Sequence, residues 1–302
     1  MSNKNKCMIC DHDKFDFIHS LRDDTSRNAF QCNRCGFIQI QPLPTEEEDE
    51  EFYKNGLMYG NTLNHSELYK NNLNIAERMR SWSEYQARKL SPFLHEDWKI
   101  LEIGSAFGWL VEFLHNKGYD IEGLEINGDY RDIYRERTGK ELFSFDILED
   151  SKDIREREEA YDCLLLFHVL EHIRNPVGFV NSATKLLKPG GIIYIDVPNN
   201  DDYMMKINKE YEAFHYVRAH LSYFSPKTLA KLLKMCNYNN IQIIGNQIYS
   251  LENASHWLNN NMPFRDYHQI DMHESLQWIN QIYKEGIEKE LKSFAIIGIG
   301  VK

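Results

Sequence analysis

Residues 99–108, KILEIGSAFG, constrain this chain more than any other stretch. Ile100, Leu101 and Ile103 form a short apolar run with one acidic residue, Glu102, set inside it. A turn of small residues follows, Gly104-Ser105-Ala106-Phe107-Gly108, and then an apolar helical pattern in Trp109, Leu110, Val111, Phe113 and Leu114. Buried strand, tight turn and helix, in that order, predict the first unit of a parallel α/β sheet. Glycines at both ends of the turn let the backbone pass close to a ligand at the strand's carboxyl end. A dinucleotide fingerprint requires G-x-G-x-x-G. The spacing here is G-x-x-x-G, with Ala106 between the glycines and an acid inside the strand.

The strand–helix rhythm continues. The segment 121–126, IEGLEI, reads as a second strand with Glu125 and Ile126 at its tip. A carboxylate there can accept hydrogen bonds from both hydroxyls of a ribose, which supports an adenosine ligand without choosing among adenosine-containing cofactors. ELFSFDI alternates apolar residues, ends in Asp146-Ile147 and predicts a third strand. YDCLLLFHVL, residues 161–170, is a continuous apolar run, a strand buried on both faces, which leads through Phe167-His168 to Glu171-His172. Asn175-Pro176 opens a helix, Lys188-Pro189-Gly190-Gly191 predicts a sharp turn, and GIIYIDVPN a fifth strand. Ser225-Pro226 is a helix start, IQIIGNQIYS a sixth strand, and FAIIGIGVK a last one, unless a phosphate-binding turn begins at Gly298-Ile299-Gly300.

In this order the strings resemble the class I S-adenosylmethionine (SAM)-dependent methyltransferases. EIGSAFG is similar to their E/D-x-G-x-G-x-G motif, with Ala106 for the middle glycine. FHVLEH resembles the F-x-x-V-L-E-H region, found also in quinone-biosynthesis O-methyltransferases, and LLKPGGIIYIDVP is a characteristic string of the class. The resemblance covers roughly residues 96–250. It implies a Rossmann-like, seven-stranded α/β sheet with an antiparallel last strand. It also implies a cofactor site made of Glu102, Gly104, Ser105, Ala106, Gly108, Glu125, Ile126, Asp146, Ile147, Phe167 and His168. Asp146 would meet the adenine amino group, Ile147 would lie beside the ring, and the strand end at 167–168 would offer a carbonyl to the cofactor's amino group.

The N-terminus carries a separate signal. Cys7-x-x-Cys10 and Cys32-x-x-Cys35 are two matched pairs, followed by Asp11 and Gly36. Four thiolates at this spacing converge on a tetrahedral Zn²⁺ with no open position, so the metal is structural. The first ~40 residues are too few to bury a core alone, so metal binding would drive their folding. MSNKNKCMIC has no apolar signal core, which predicts a cytoplasmic, reducing location. Cys163 and Cys236 fall inside apolar patterns and read as packed. A net charge of −11 argues against nucleic acid as a partner, and no apolar run approaches the ~20 residues that span a bilayer.

Thr45 and Glu48 form a capping box at the start of an acidic helix, with Tyr53 and Tyr59 near its end. These tyrosines read as interdomain packing, while the resemblance implies that tyrosines hereabouts can line the cofactor pocket. Leu68, Ile75, Met79, Trp82, Gln86 and Leu90 mark one long amphipathic helix over 66–91, ended by Pro92; in the resembling enzymes such a helix covers the cofactor. Between Asn199 and Ser225 lies an aromatic excursion from the strand ends, where substrate pockets are built. HLSYFS within it resembles zinc-containing methyltransferases of deoxysugar nucleotides. Their C-methylating members carry Y-H-E-H before L-S-Y-F. Here the positions read Val217-Arg218-Ala219-His220, and only the last histidine remains, which favours an oxygen acceptor.

The sequence thus divides into a zinc module (1–44), a helical connector (45–95), a SAM-binding core (96–250, with a lid at 199–224) and a helical cap with the last strand (251–302). Candidate bases are His220, His168 and His215, and candidate substrate contacts are Arg218, Tyr216 and Tyr223. The expected reaction is methylation of a small-molecule hydroxyl, on a sugar or nucleotide-linked sugar, by an enzyme able to form a homodimer. Alternatives are C-methylation of a keto-deoxysugar nucleotide, a zinc-bearing RNA methyltransferase, and a SAM-binding module without turnover.

Overall fold

The structure, a computed structural model, describes residues 6–54, 73–149, 151–263 and 274–302. Among the described residues ten strands form two sheets: β1 (Phe15–Ser20), β2 (Asn28–Cys32), β3 (Ile38–Gln41), β4 (Lys99–Ile103), β5 (Asp120–Leu124), β6 (Tyr161–Phe167), β7 (Leu187–Pro198), β8 (Ser222–Tyr223), β9 (Asn239–Asn246) and β10 (Ala295–Val301). The larger sheet has six strands in the order β5-β4-β6-β7-β10-β9. β5, β4, β6 and β7 are parallel, and β10 runs antiparallel between β7 and β9. Leu164, Leu165 and Leu166 in β6 are fully buried, as an apolar run covered on both faces requires.

The expected third strand is reduced to a bridge. Phe143 N–H donates to the Gly123 carbonyl (3.0 Å) and Glu125 N–H donates to the Phe143 carbonyl (2.9 Å). Asp146 then accepts from the Leu148 N–H (2.8 Å), and that side-chain turn pulls the segment off the ladder. The described sheet therefore has six strands where seven were expected. KPGG is also not a separate turn. It lies inside β7, held by Lys302, whose N–H donates to the Gly191 carbonyl and whose carbonyl accepts from Gly190.

The last strand forms as expected, and its glycines have a packing role. A Cβ on Gly298 would lie 2.9 Å from Leu229, and one on Gly300 2.7 Å from Tyr238. The glycines let the helix Pro226–Met235 settle onto β10, and no phosphate turn exists there.

The smaller sheet, β1-β2-β3-β8, joins the chain's beginning to the excursion. Ile38 pairs with Tyr223, Gln39 pairs with Ser222, and Ile40 N–H donates to the Leu221 carbonyl (3.1 Å). Cys7, Ile9, Cys32, Cys35 and Phe37 belong to the same apolar core as Leu164 and Phe224. The N-terminal residues thus share one sheet and one core with the residues expected to hold the acceptor.

The Thr45–Glu48 capping box forms, with Glu48 N–H donating to Thr45 Oγ1 (3.2 Å) and Thr45 N–H donating to Glu48 Oε2 (2.6 Å). The long helix is seen as Leu73–Leu90, with Gln86 and Leu90 fully buried. Tyr59, Leu68 and the side chains of Tyr53 and Ile75 lie outside the described residues. The helix Leu251–Asn260 covers the excursion through Trp257, whose ring meets that of Tyr211 at 5.0 Å. No helix among the described residues is long and apolar enough to cross a membrane.

Candidate active site

The parallel strands bring two clusters together at their carboxyl ends. The first is the bend after β4. Gly104, Ala106 and Gly108 all have positive φ (78°, 44° and 73°), so Ala106 holds a left-handed conformation in which a side chain is strained. Glu125 fastens this bend: its carboxylate accepts from Ala106 N–H (3.2 Å) and from Asn127 N–H (2.9 Å). Ionised carboxylate oxygens offer about four acceptor sites, so lone pairs remain for two hydroxyls.

The room at the two glycines is filled by protein. A Cβ on Gly104 would lie 2.4 Å from Val169, and one on Gly108 2.6 Å from Tyr134. The glycines shape the bend by admitting those side chains.

Beneath the bend lie three buried polar atoms without hydrogen-bond partners: Glu102 Oε2, Ser105 Oγ and Tyr134 Oη. Gly123, in neighbouring β5, makes room for two of them, since a Cβ there would sit 2.6 Å from both Ser105 Oγ and Tyr134 Oη. Burial, with the nearby Glu125 charge, pushes the Glu102 carboxyl up to about 8 from its ordinary 4.5. Between those two values the folded protein holds a proton that the unfolded chain has lost. Stability then falls as pH rises, by up to about 1.4 kcal/mol per pH unit. A Glu102→Gln protein is therefore expected to match the wild type near pH 5 and to exceed it near pH 8.5 by a few kcal/mol. Denaturant unfolding across that range checks this, and parallel curves for the two proteins would refute it.

The second cluster sits at the ends of β6 and β7. His168 follows β6 with φ 52°, its N–H donating to the Asp196 carbonyl (2.9 Å). Its Nδ1 is 3.3 Å from Glu171 Oε1, and His172 Nε2 is 3.8 Å from the same oxygen. Burial opposes charge on His168, but the Glu171 and Asp196 carboxylates outweigh it and push the imidazole up to about 9. Glu171 is buried too, yet the contact with the charged His168 imidazole outweighs burial and holds it at about 2. Burial pushes His220 down to about 3 and His215 down to about 4, and each has one buried ring nitrogen without a partner. Leu221 N–H donates to the Glu171 carbonyl (2.8 Å), which pins the excursion to this turn. Asp196, missed in the sequence, ends the cluster: it accepts from Asn246 (2.7 Å) and Gln86 (3.2 Å), and burial lifts it to about 6.

The two clusters adjoin, because Val169 fills the space over Gly104. Ser144 Oγ donates to the Ile126 carbonyl (3.2 Å), bringing the 143–147 segment beside the Glu125 tip. Asp146 caps its own turn, Ile147 is buried, and Ile126 is 68% exposed. Phe167 packs its ring on Trp82 of the long helix at 5.6 Å.

The polar groups of the expected substrate contacts already have partners within the protein. Arg218 is buried, donates to Asp49 (2.7 Å), lies 3.8 Å from Asp24 and stacks over Phe52. It joins the excursion to the acidic helix and to the β1–β2 loop, and no substrate anion is needed to balance it. Tyr216 is buried and donates to Asn200 (3.0 Å), while Tyr223 Oη accepts from Val217 N–H and donates to the Val217 carbonyl (2.9 Å each). These two hydroxyls hold the excursion's own backbone and side chains.

At the N-terminus the four cysteine sulfurs lie within 4.8 Å of one another, with Cys7–Cys35 at 3.5 Å and Cys10–Cys32 at 3.6 Å. Asp11 N–H donates to the Cys7 carbonyl and Gly36 N–H to the Cys32 carbonyl, two matching turns with positive φ at Asp11 and Gly36. Tetrahedral ligation at ~2.3 Å sets sulfurs about 3.8 Å apart, so the donor set fits zinc.

A family model described as a methyltransferase domain matches residues 75–243, more than half of the chain. The chain belongs to this family. Its structure is similar to a SAM-dependent methyltransferase from Archaeoglobus fulgidus, with a TM-score of 0.52, 16% identity, and coverage of 74% of this chain and 94% of the other. It is also similar to the 1,6-didemethyltoxoflavin-N1-methyltransferase of Burkholderia thailandensis, solved with 1,6-didemethyltoxoflavin and S-adenosylhomocysteine (TM-score 0.50, 12% identity, 94% of this chain and 99% of the other). A curated relative, the ubiquinone biosynthesis O-methyltransferase of Aliivibrio fischeri, is 25% identical over 105 residues, 34% of this chain. That match spans 45% of the relative's length. The methyltransferase thus has the α/β Rossmann-like fold of SAM-dependent enzymes, and the bend at 104–108 and the Glu125 tip both fall inside the matched region.

Proposed function

We propose that this methyltransferase moves a methyl group from SAM to an oxygen of a small molecule, which enters between the excursion and the ends of β6 and β7. The observation that carries the reading is the fastening of the 104–108 bend by Glu125, directly beside the buried histidine–glutamate cluster. SAM, when bound, supplies a methyl on a sulfonium, a leaving group that needs no acid. Glu125 would hold the ribose, and the bend would sit under the amino-acid end. The chain's own task is then to fix an acceptor ~3 Å from that methyl, in line, and to remove its proton. His220 is the acceptor-side residue best placed for this, since its Nδ1 is buried without a partner while His172 Nδ1 is committed to the Ala219 carbonyl (2.8 Å).

A small-molecule acceptor is supported by the enclosure of the cluster under the excursion and by the small-molecule methyltransferases among the similar proteins. A sugar rests on the HLSYFS resemblance alone. Arg218, a candidate partner for a phosphate or carboxylate on the substrate, is already paired with Asp49, which favours an uncharged hydroxylated acceptor. Zinc on Cys7, Cys10, Cys32 and Cys35 would fix the sheet that presents the excursion.

The test is transfer of labelled methyl from SAM to a panel of free sugars, nucleotide sugars, phenols and RNA. Label is expected in a hydroxylated small molecule, and His220→Ala is expected to lower kcat at least tenfold with SAM affinity unchanged. Label in RNA alone, or SAM binding without turnover on any acceptor, would overturn the reading.

A further inference from the structure

We propose that Glu171, His172 and His220 form a second metal site, for a divalent first-row transition ion, on the acceptor side of the pocket. One ligand atom from each of these residues lies within 4.8 Å of the others. Glu171 is 1% exposed, and neither of its carboxylate oxygens has a hydrogen-bond partner. A buried carboxylate left so is costly unless a cation completes it. His168 at 3.3 Å compensates its charge from one side only, facing Oε1.

The two imidazoles are presented as ligands. His172 Nδ1 lies 2.8 Å from the Ala219 carbonyl, so that nitrogen carries the proton and donates, which leaves the lone pair on Nε2, the atom facing Glu171 at 3.8 Å. An outer hydrogen bond that fixes the tautomer of a ligating histidine is the usual support of a metal-binding imidazole. His220 Nδ1 is buried with no partner, and its ring meets that of His172 edge-on at 5.1 Å. The backbone holds the set in register: Glu171 and His172 are adjacent in one turn, and Leu221 N–H donates to the Glu171 carbonyl.

Two imidazoles and one carboxylate suit zinc, iron, manganese or cobalt, whereas magnesium and calcium prefer all-oxygen sets. Three protein ligands leave at least one position open. This inference rests on the methyl-transfer reading for its role: the open position would take the acceptor oxygen and lower its pKa. With the ion bound, His220 serves as its ligand instead of as the base: the acceptor O–H proton leaves to water, the oxygen forms a bond to the methyl carbon, the S–C bond breaks and its electron pair stays on sulfur. The acceptor class narrows to molecules with an oxygen able to ligate a metal, such as a phenol, an enol or a vicinal diol.

The test uses full-length protein with zinc on the four cysteines, titrated with Co²⁺ and followed by visible absorbance and metal content. Wild type is expected to take one further equivalent, with weak bands of nitrogen–oxygen ligation and no new thiolate band. Glu171→Gln and His220→Ala are each expected to weaken that binding at least tenfold, and His172→Gln replaces either one if it fails to fold. His215→Ala, which shares Tyr223 as a ring neighbour, is expected to bind Co²⁺ as the wild type does. No further equivalent, or one retained in both ligand variants, overturns the site. SAM calorimetry on the same samples reads the methyl-transfer proposal separately: SAM heat without the extra Co²⁺ removes the metal alone, and absent SAM heat removes the transfer role.

Discussion

A Glu125→Ala protein is expected to bind SAM about 100-fold more weakly than the wild type while remaining folded. Glu125 acts twice in this site. Its carboxylate fastens the backbone of the bend at Ala106, and in the proposed reading its remaining lone pairs would take the ribose hydroxyls. Charge-assisted hydrogen bonds contribute ~1.5–3 kcal/mol each, and removing the carboxylate loses the ribose contacts and loosens a bend strained at Ala106. A loss near 3 kcal/mol corresponds to about 100-fold in affinity. Glu125→Gln keeps one carbonyl acceptor for two backbone donors and should fall between. Calorimetric titration checks the series, and a change below about threefold in Glu125→Ala would remove Glu125 from the cofactor site.

Cys35→Ser is expected to release zinc, to unfold the β1–β3 segment and to lower turnover at least 100-fold, with SAM affinity within a few-fold of wild type. The separation follows from the topology. The SAM-side strands β4–β7 make their own parallel ladder, which no strand of the cysteine module enters, although both share one apolar core. The acceptor side is tied to that module: β3 pairs with β8, Ile40 holds Leu221, and Leu221 holds Glu171, a continuous line of backbone bonds from the cysteine turns to His220. Structural zinc sites contribute on the order of 10 kcal/mol to the fold they hold, more than a small three-stranded sheet can replace. Metal content, circular dichroism and the labelled-methyl assay check this together. A zinc-free variant with full turnover would show that the cysteine module is separate from the acceptor pocket.

The legible parts of this chain were the ones whose determinants are local. The 99–108 bend, the tip at Glu125 and the paired C-x-x-C turns each carry their geometry within a few residues, and the structure brings the members of each together. The third strand was misread because alternation in ELFSFDI says nothing of Asp146, whose side chain makes a turn that competes with the ladder. KPGG was misread because Lys302, at the far end of the chain, holds it in β7. The pairing of Arg218, a candidate substrate contact, was not legible because its partners, Asp49 and Asp24, come from other elements. Asp196 and Gly123 left no signal beyond being polar or small residues in apolar strands. Their roles come from Gln86 and Asn246 in one case, and from Ser105 and Tyr134 in the other. An acid inside a strand that should be uniformly apolar was the clue available for Asp196.

The central claim is that the pocket over β4 and β5 is built for an adenosyl sulfonium. Titrating the purified full-length protein with SAM and, in parallel, with a nicotinamide dinucleotide in a calorimeter tests it most directly. The structure predicts saturable heat with SAM, lost in Glu125→Ala, and none with the dinucleotide; heat with the dinucleotide and none with SAM would contradict it.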